Sequence, residues 1–239
     1  QHPVIKDVFD VQNTRWTHWT MDDNPILSDE RKQSIIQSLK KNPYLYKRDV
    51  LGQRVMPQGV IYGLFDLEKN IKDNLIGEPV EMYFNGDGGQ SDATSMSCNI
   101  VTKHREDGRT FFRLNRAAHY YHSGAETGQV KAMSTYAVEL RAFIQWCVSK
   151  YQMRYTDVWI DPACRSLREE LHKLGIQTRG ALNNAHDVSS KAKGIEVGIE
   201  RGQNIISSGQ FLLVNHSEEK YDHYHFLKEI GLYSRDDHG

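Results

Sequence analysis

From residue 79 onward the chain alternates between two hydrophobic periods, and that alternation leaves few folds open. Residues 79–84, 94–101 and 110–121 read as strands, and Glu106-Asp107-Gly108 between the last two is a hairpin signal. Residues 129–150 then place Ala132, Tyr136, Leu140, Phe143 and Cys147 at steps of three and four, the stripe of an amphipathic helix. A short apolar strand follows at 156–160. Next comes a helix at 162–174, with Leu167, Leu171 and Leu174 on one face and Gly175 as its stop. A short strand at 176–179, a helix at 190–206, a strand at 211–214 and a helix at 218–230 complete the chain. A meander followed by strand–helix alternation predicts an α/β fold, a mixed sheet with helices on its faces.

The first third is patterned more weakly. Residues 15–20 and 60–65 read as short strands and Asp22-Asp23-Asn24-Pro25 as a turn. Ser28 is placed to cap a helix whose narrow apolar face is Ile35, Ile36 and Leu39. This stretch is too small for a comfortable core of its own. A break near residues 70–80 is therefore expected, with the sheet domain following it. The chain opens on Gln1 without an initiator Met, which suggests a piece of something longer.

Composition excludes several classes. Of 239 residues 38% are hydrophobic and 26% charged, ordinary for a globular chain, and no apolar run approaches the roughly 18 residues of a membrane span. Cys98, Cys147 and Cys164 form no C-x-x-C pair, and the eleven histidines form no H-E-x-x-H, so a zinc ribbon or zinc-protease helix is not expected. No G-x-x-x-x-G-K-[ST] is present to cradle a nucleotide, and no G-x-S-x-G to raise a nucleophile. The net charge of −1 argues against a protein coated in nucleic acid, though basic patches can coexist with a neutral total.

Two strands end in an aspartate at the carboxyl end, where open α/β sheets bind their ligands. The first reads Glu81-Met82-Tyr83-Phe84-Asn85-Gly86-Asp87-Gly88-Gly89 and the second Asp157-Val158-Trp159-Ile160-Asp161-Pro162. If these strands are neighbours, both carboxylates meet in one crevice. A hard divalent cation such as Mg²⁺ would relieve their repulsion. Two such ions about 3.5–4 Å apart can activate a water and steady the leaving oxygen of a phosphodiester. Each aspartate also has a plainer reading. Asn-Gly-Asp-Gly-Gly suits a tight turn, and Asp161 before Pro162 suits a helix N-cap. Asp92 is a third candidate, brought back near Asp87 by the glycines, or else a turn-stabilising residue. Arg179, Asn183, Asn184, His186, Lys191 and Lys193 join a strand to the next helix, as a grip on a DNA backbone or as a solvated loop. Lys103-His104-Arg105 with Arg109, Arg113 and Arg116 form a second basic cluster, most simply a solvated strand face.

Taken in order, these motifs resemble phage terminase large subunits over nearly the whole chain. Residues 19–27 (WTMDDNPIL) resemble the segment that closes that family's ATPase domain. Residues 46–53 and Gly59-Val60-Ile61-Tyr62 resemble the passage into its nuclease. Residues 87–94 (DGGQSDAT) are similar to its D-x-G-x-x-D-x-T element, Ile160-Asp161-Pro162-Ala163 to its second acidic strand end, and residues 193–199 (KGIEVGI) to the helix that follows. The resemblance implies an RNase H-like mixed sheet, antiparallel meander then parallel strands, flanked by helices. It identifies 1–78 as the tail of an ATPase domain with its linker and 79–239 as a nuclease domain.

By that resemblance the activity is metal-dependent endonucleolytic cutting of concatemeric double-stranded DNA during genome packaging, in the host cytoplasm. The portal protein and the small terminase subunit are the implied partners, with no membrane and no nucleotide bound by this part. Asp87 and Asp161 match the family's first two Mg²⁺- or Mn²⁺-binding acids. Asp92 is expected to ligate or orient, and Lys191, Lys193, Arg179 and Asn184 to touch DNA. The family's third acid has no match before Gly239 and is expected beyond it, with Asp237 and His238 as lesser substitutes. Without that acid, metal would bind weakly, and the alternative is a catalytically silent module that holds DNA and docks in the packaging motor.

Overall fold

A computed structural model describes residues 17–39, 46–52, 60–89, 93–181, 194–216 and 219–234. The chain divides into two compact units, Gln1–Gly63 with Leu227–Gly239, and Leu64–Phe226. In the first, helix α1 (Asp29–Leu39) starts after Ser28, whose carbonyl accepts from Lys32 N at 2.9 Å. Its first turn carries Asp29 and Glu30, the charge that suits a helix start. Residues 17–20 form no strand, and 15–16 lie outside the described residues. The strand expected over 60–65 is also absent. Val60 makes a single bridge to Ser234, the next residues turn, and Asp66 immediately caps helix α2 (Leu67–Asn70) by accepting from the amides of Glu68 and Lys69. No room for a strand remains between that bridge and that cap.

The second unit is built on a seven-stranded sheet. Its strands are β1 (Ile71–Lys72), β2 (Glu78–Asp87), β3 (Ala93–Glu106), β4 (Arg109–Ser123), β5 (Asp157–Ile160), β6 (Arg179–Gly180) and β7 (Phe211–Val214), in the spatial order β1-β7-β4-β3-β2-β5-β6. The β3–β4 hairpin closes on Asp107 and Gly108, both at positive φ (48° and 74°), as a two-residue turn demands. β3 is antiparallel to both neighbours and every other pairing is parallel, so all strands but β3 point their carboxyl ends to one edge. This is the RNase H-like mixed sheet that the resemblance implied.

One face of the sheet holds the core. Met82, Phe84, Met96, Cys98, Val158 and Ile160 pack there against Tyr136, Leu140, Phe143 and Cys147 of helix α4 (Met133–Tyr151) and Leu167 and Leu171 of helix α5 (Arg165–Lys173). Short helix α3 (Gly124–Thr127) precedes α4. Helix α6 (Ile195–Ser207) leads into β7, and a 3-10 turn at Glu219–Tyr221 precedes helix α7 (Tyr224–Ile230). The continuous helix expected over 218–230 is thus broken: the buried His223 places Nε2 3.1 Å from the carbonyl of Val214 and holds the interruption. Helix α4 starts at Met133 rather than near 129. α5 starts at Arg165 rather than Pro162, for a reason that belongs to the site.

Candidate active site

The expected turn at Asn85-Gly86-Asp87 does not form. β2 continues straight through it, pairing Asn85 with Ser97, Gly86 with Met96 and Asp87 with Ser95. Gly86 leaves room there for its neighbours: a Cβ would lie 2.7 Å from Ile160 Cδ1 and 3.1 Å from Met96 Cε, so those side-chain ends would have to shift. On the other side β2 pairs in parallel with β5, from Tyr83 beside Asp157 to Gly86 beside Ile160. The next residues along the two strands are Asp87 and Asp161, and the Asp161 amide donates to Gly86 O at 3.2 Å. The spacing of adjacent strands puts the two backbones about 5 Å apart at this point. The two acids, distant in sequence, meet at the common carboxyl edge.

Asp161 does not cap a helix. Its Oδ1 accepts from Ala163 N at 2.7 Å and its carbonyl from Cys164 N at 3.0 Å, closing a tight turn over Pro162 and Ala163. Cys164 is the residue at the helix N-cap and makes no side-chain cap bond, so α5 begins three residues later than expected. The Cys164 side chain turns the other way, to the end of β2. Its Sγ lies 3.0 Å from Gly88 O, accepts from Gly88 N at 3.2 Å and lies 3.5 Å from Asp87 Oδ1. Burial raises the thiol pKa, the Gly88 amide opposes this, and Asp87 and Asp161 raise it further. Sequence reasoning passed over Cys164 because a lone half-buried cysteine carries no motif.

The face that carries Asp87 is polar. Asn85, Ser97 and Asn99 lie along it, with Asn99 Nδ2 donating to Ser97 Oγ at 3.1 Å and to Asn85 Oδ1 at 3.4 Å. Beyond them β4 contributes Tyr121, opposite Ser95, then His119 and Arg116. His225 stacks on Tyr121 at 3.7 Å and the Arg116 guanidinium lies 4.4 Å from the centre of the Phe226 ring. Burial, then Arg116, His223 and His225, hold the His119 pKa well below its ordinary value. His223 is pushed down to about 3 by burial, with Arg116 and His216 adding to the effect and the Val214 carbonyl opposing it.

Of the expected DNA contacts, Arg179 lies on β6 beside Trp159, its Nε 2.6 Å from Asp157 Oδ1 and its guanidinium 5.6 Å from the Trp159 ring centre. Asp92, Asn183, Asn184, His186, Lys191 and Lys193 lie outside the described residues. The Lys103–Arg105 cluster lies at the far end of the sheet. Lys103 and Arg105 alternate onto the same face as Ser95 and Asp87, yet eight to ten residues further along β3, about 25–35 Å away. There His104 stacks on Phe111 at 5.1 Å and Arg113 lies 5.2 Å from the same ring.

The donor set at the acidic edge suits a hard divalent cation. Two aspartates follow directly on the paired ends of adjacent parallel strands, and the Ala163 amide that donates to Asp161 Oδ1 fixes that group's orientation. Among the described residues no group of three or more His, Cys, Asp or Glu side chains gathers as a metal site, so the pair is at most part of one.

Neither a protein-family model nor a curated protein sequence matches the chain. Solved structures do. The large terminase of a thermophilic bacteriophage is 22% identical at a TM-score of 0.55, over 97% of this chain and 51% of that one. The same terminase in complex with ADP gives 22% and 0.56, over 97% and 50%. The chain has the fold of a large terminase. It spans about half the length of the large terminases it matches. The P22 large terminase nuclease domain is 14% identical at a TM-score of 0.49, over 77% of this chain and 84% of that domain. Among the described residues no helix is long and apolar enough to cross a membrane.

Proposed function

We propose that this chain is the DNA-cutting part of a phage large terminase, a metal-dependent endonuclease acting on concatemeric double-stranded DNA during packaging in the host cytoplasm. The observation that carries this reading is the meeting of Asp87 and Asp161 at adjacent parallel strand ends in a chain of large-terminase fold. Asp87 and Asp161 would hold Mg²⁺ or Mn²⁺, in a two-metal site completed by an acid outside the described residues. Bound there, the cations supply the Lewis acidity that activates a water and offsets charge on the scissile phosphate.

The chain's own residues orient and position. Asp161 is fixed through its bond from the Ala163 amide, and Asp87 is fixed by the pairing of β2 on both sides. Asp92 would ligate or orient beside Asp87. Arg179, Asn184, Lys191 and Lys193 would contact backbone phosphates, giving binding with little sequence preference. The portal protein and the small terminase subunit are the proposed partners, and no nucleotide is bound by this part. The test is plasmid nicking with Mn²⁺, with and without EDTA. Asp87→Ala and Asp161→Asn should abolish nicking while leaving the folded spectrum intact, and undiminished cutting by either variant overturns the assignment. A wild-type chain that retains DNA but never nicks it would make this part a holding module of the motor instead.

A further inference from the structure

Two carboxylates on separate strands keep a ligating geometry only if the strand ends are kept in register, and one side chain ties both ends together. Cys164 is bound to Asp161 through the backbone, its amide donating to the Asp161 carbonyl at 3.0 Å across a turn that Asp161 Oδ1 closes on Ala163. Through its side chain it is bound to the other acid. Gly88 N donates to Sγ at 3.2 Å, and the thiol has Gly88 O at 3.0 Å and Asp87 Oδ1 at 3.5 Å as acceptors. The thiol has one hydrogen for those two acceptors, so it holds the backbone that follows Asp87 while remaining in reach of the carboxylate. The fit is close. A Cβ on Gly88 would lie 2.7 Å from Leu167 Cδ2 and 3.5 Å from Cys164 Sγ, so any larger residue there would have to push the Leu167 side chain aside.

We propose that Cys164 is a positioning residue, a clasp that fixes Asp87 against Asp161 and so sets how tightly the acid pair holds a divalent cation. This rests on the reading of Asp87 and Asp161 as metal ligands. Cys98 and Cys147 are buried in the core and take no part in the clasp. The clasp acts at one remove from the cation, where loss of a supporting bond typically lowers metal affinity about 10–100-fold.

The test is Mn²⁺ binding to the 239-residue chain, followed by the loss of the free-ion electron paramagnetic resonance signal, with the thermal midpoint measured on the same samples. Cys164→Ala should weaken Mn²⁺ binding about tenfold. Cys164→Ser, which keeps a donor and an acceptor at the same position, should restore binding to within about threefold of wild type. A purely structural cysteine would lower the midpoint of both variants and leave affinity alone. Wild-type affinity in Cys164→Ala, together with its loss in Asp87→Ala, overturns the clasp while leaving the acid pair standing. Unchanged binding in Asp87→Ala overturns the metal reading itself and the clasp with it. Should Cys164→Ala fail to fold, Cys164→Val, which fills the space but has neither donor nor acceptor, decides: a loss of about tenfold with an unchanged midpoint supports the clasp and wild-type affinity overturns it.

Discussion

The two faces of the sheet obey the same alternation and carry opposite chemistry. On one, Met82, Phe84, Met96, Cys98, Val158 and Ile160 are fully or almost fully withdrawn from water beneath α4 and α5. On the other, the intervening residues Asn85, Asp87, Ser97, Asn99 and His119 are polar, and several are buried nonetheless. Burying apolar surface stabilises whatever its exact partners, whereas a buried polar group must find a specific one. The apolar face therefore holds the fold and tolerates little loss of volume. The polar face is a bonded network whose end opens on two carboxylates. Changes on the first should be read in stability and changes on the second in activity.

The largest effect belongs to the apolar face. Phe143 is fully buried, with its ring centre 5.8 Å from that of Phe84 and 4.9 Å from that of Tyr221. Phe143→Ala should cost about 3–5 kcal/mol in urea unfolding. A cost under about 2 kcal/mol would mean that the neighbours collapse into the space and that this face is not the close-packed one. Next comes the carboxyl edge. Asp87→Ala should lower Mn²⁺-dependent nicking at least about a hundredfold. The same change should leave unfolding free energy within about 0.5 kcal/mol of wild type, because Asp87 is exposed at the end of β2. A large stability loss with cutting retained would reverse the roles of the two faces.

These differences also explain what could be read from the residues beforehand. The apolar face was legible because its signal is local. Ala132, Tyr136, Leu140, Phe143 and Cys147 declare a helix face by spacing alone, and Asp107-Gly108 declares a two-residue hairpin. The acids were legible as strand ends, although Asp87 looked equally like a turn. What rejects the turn is pairing with β3 and β5, which no local pattern contains. The strand β1 escaped notice because two residues have no period; only β7 beside them makes Ile71–Lys72 a strand. Cys164 escaped for the same reason, since its partners Asp87 and Gly88 lie more than seventy residues away.

A smaller effect tests the buried imidazoles. His119 and His223 have folded-state pKa values below the ordinary 6.5. The unfolded chain therefore binds protons that the folded one refuses. Their contribution is fully present above about pH 6.5 and is lost as pH falls below it toward the folded-state values. At about pH 5.5 the His223 shift should cost on the order of 1 kcal/mol, and His119 should act in the same direction. The charged and titratable groups around them are Arg116, His216 and His225, so the loss should persist when carboxylates elsewhere are still ionised. Thermal midpoints measured from about pH 7.5 to 5.5 should decline, and His223→Gln should flatten that decline. An unchanged slope in the variant would remove His223 from the account.

The smallest effect separates an ion pair from a DNA contact. Arg179 is bonded through Nε to Asp157, yet its side chain is 65% exposed, so the pair is screened and Arg179→Ala should cost less than about 1 kcal/mol of stability. A guanidinium has further N–H groups, and those on Arg179 remain available to a phosphate at the edge next to β5. If Arg179 makes one such contact, the variant should bind duplex DNA more weakly for every sequence alike. Its plot of log affinity against log salt should then flatten by about one unit. An unchanged slope would confine Arg179 to its pair with Asp157 and its place over Trp159. Any contact with DNA would then lie nearer the acids, or on residues outside this strand.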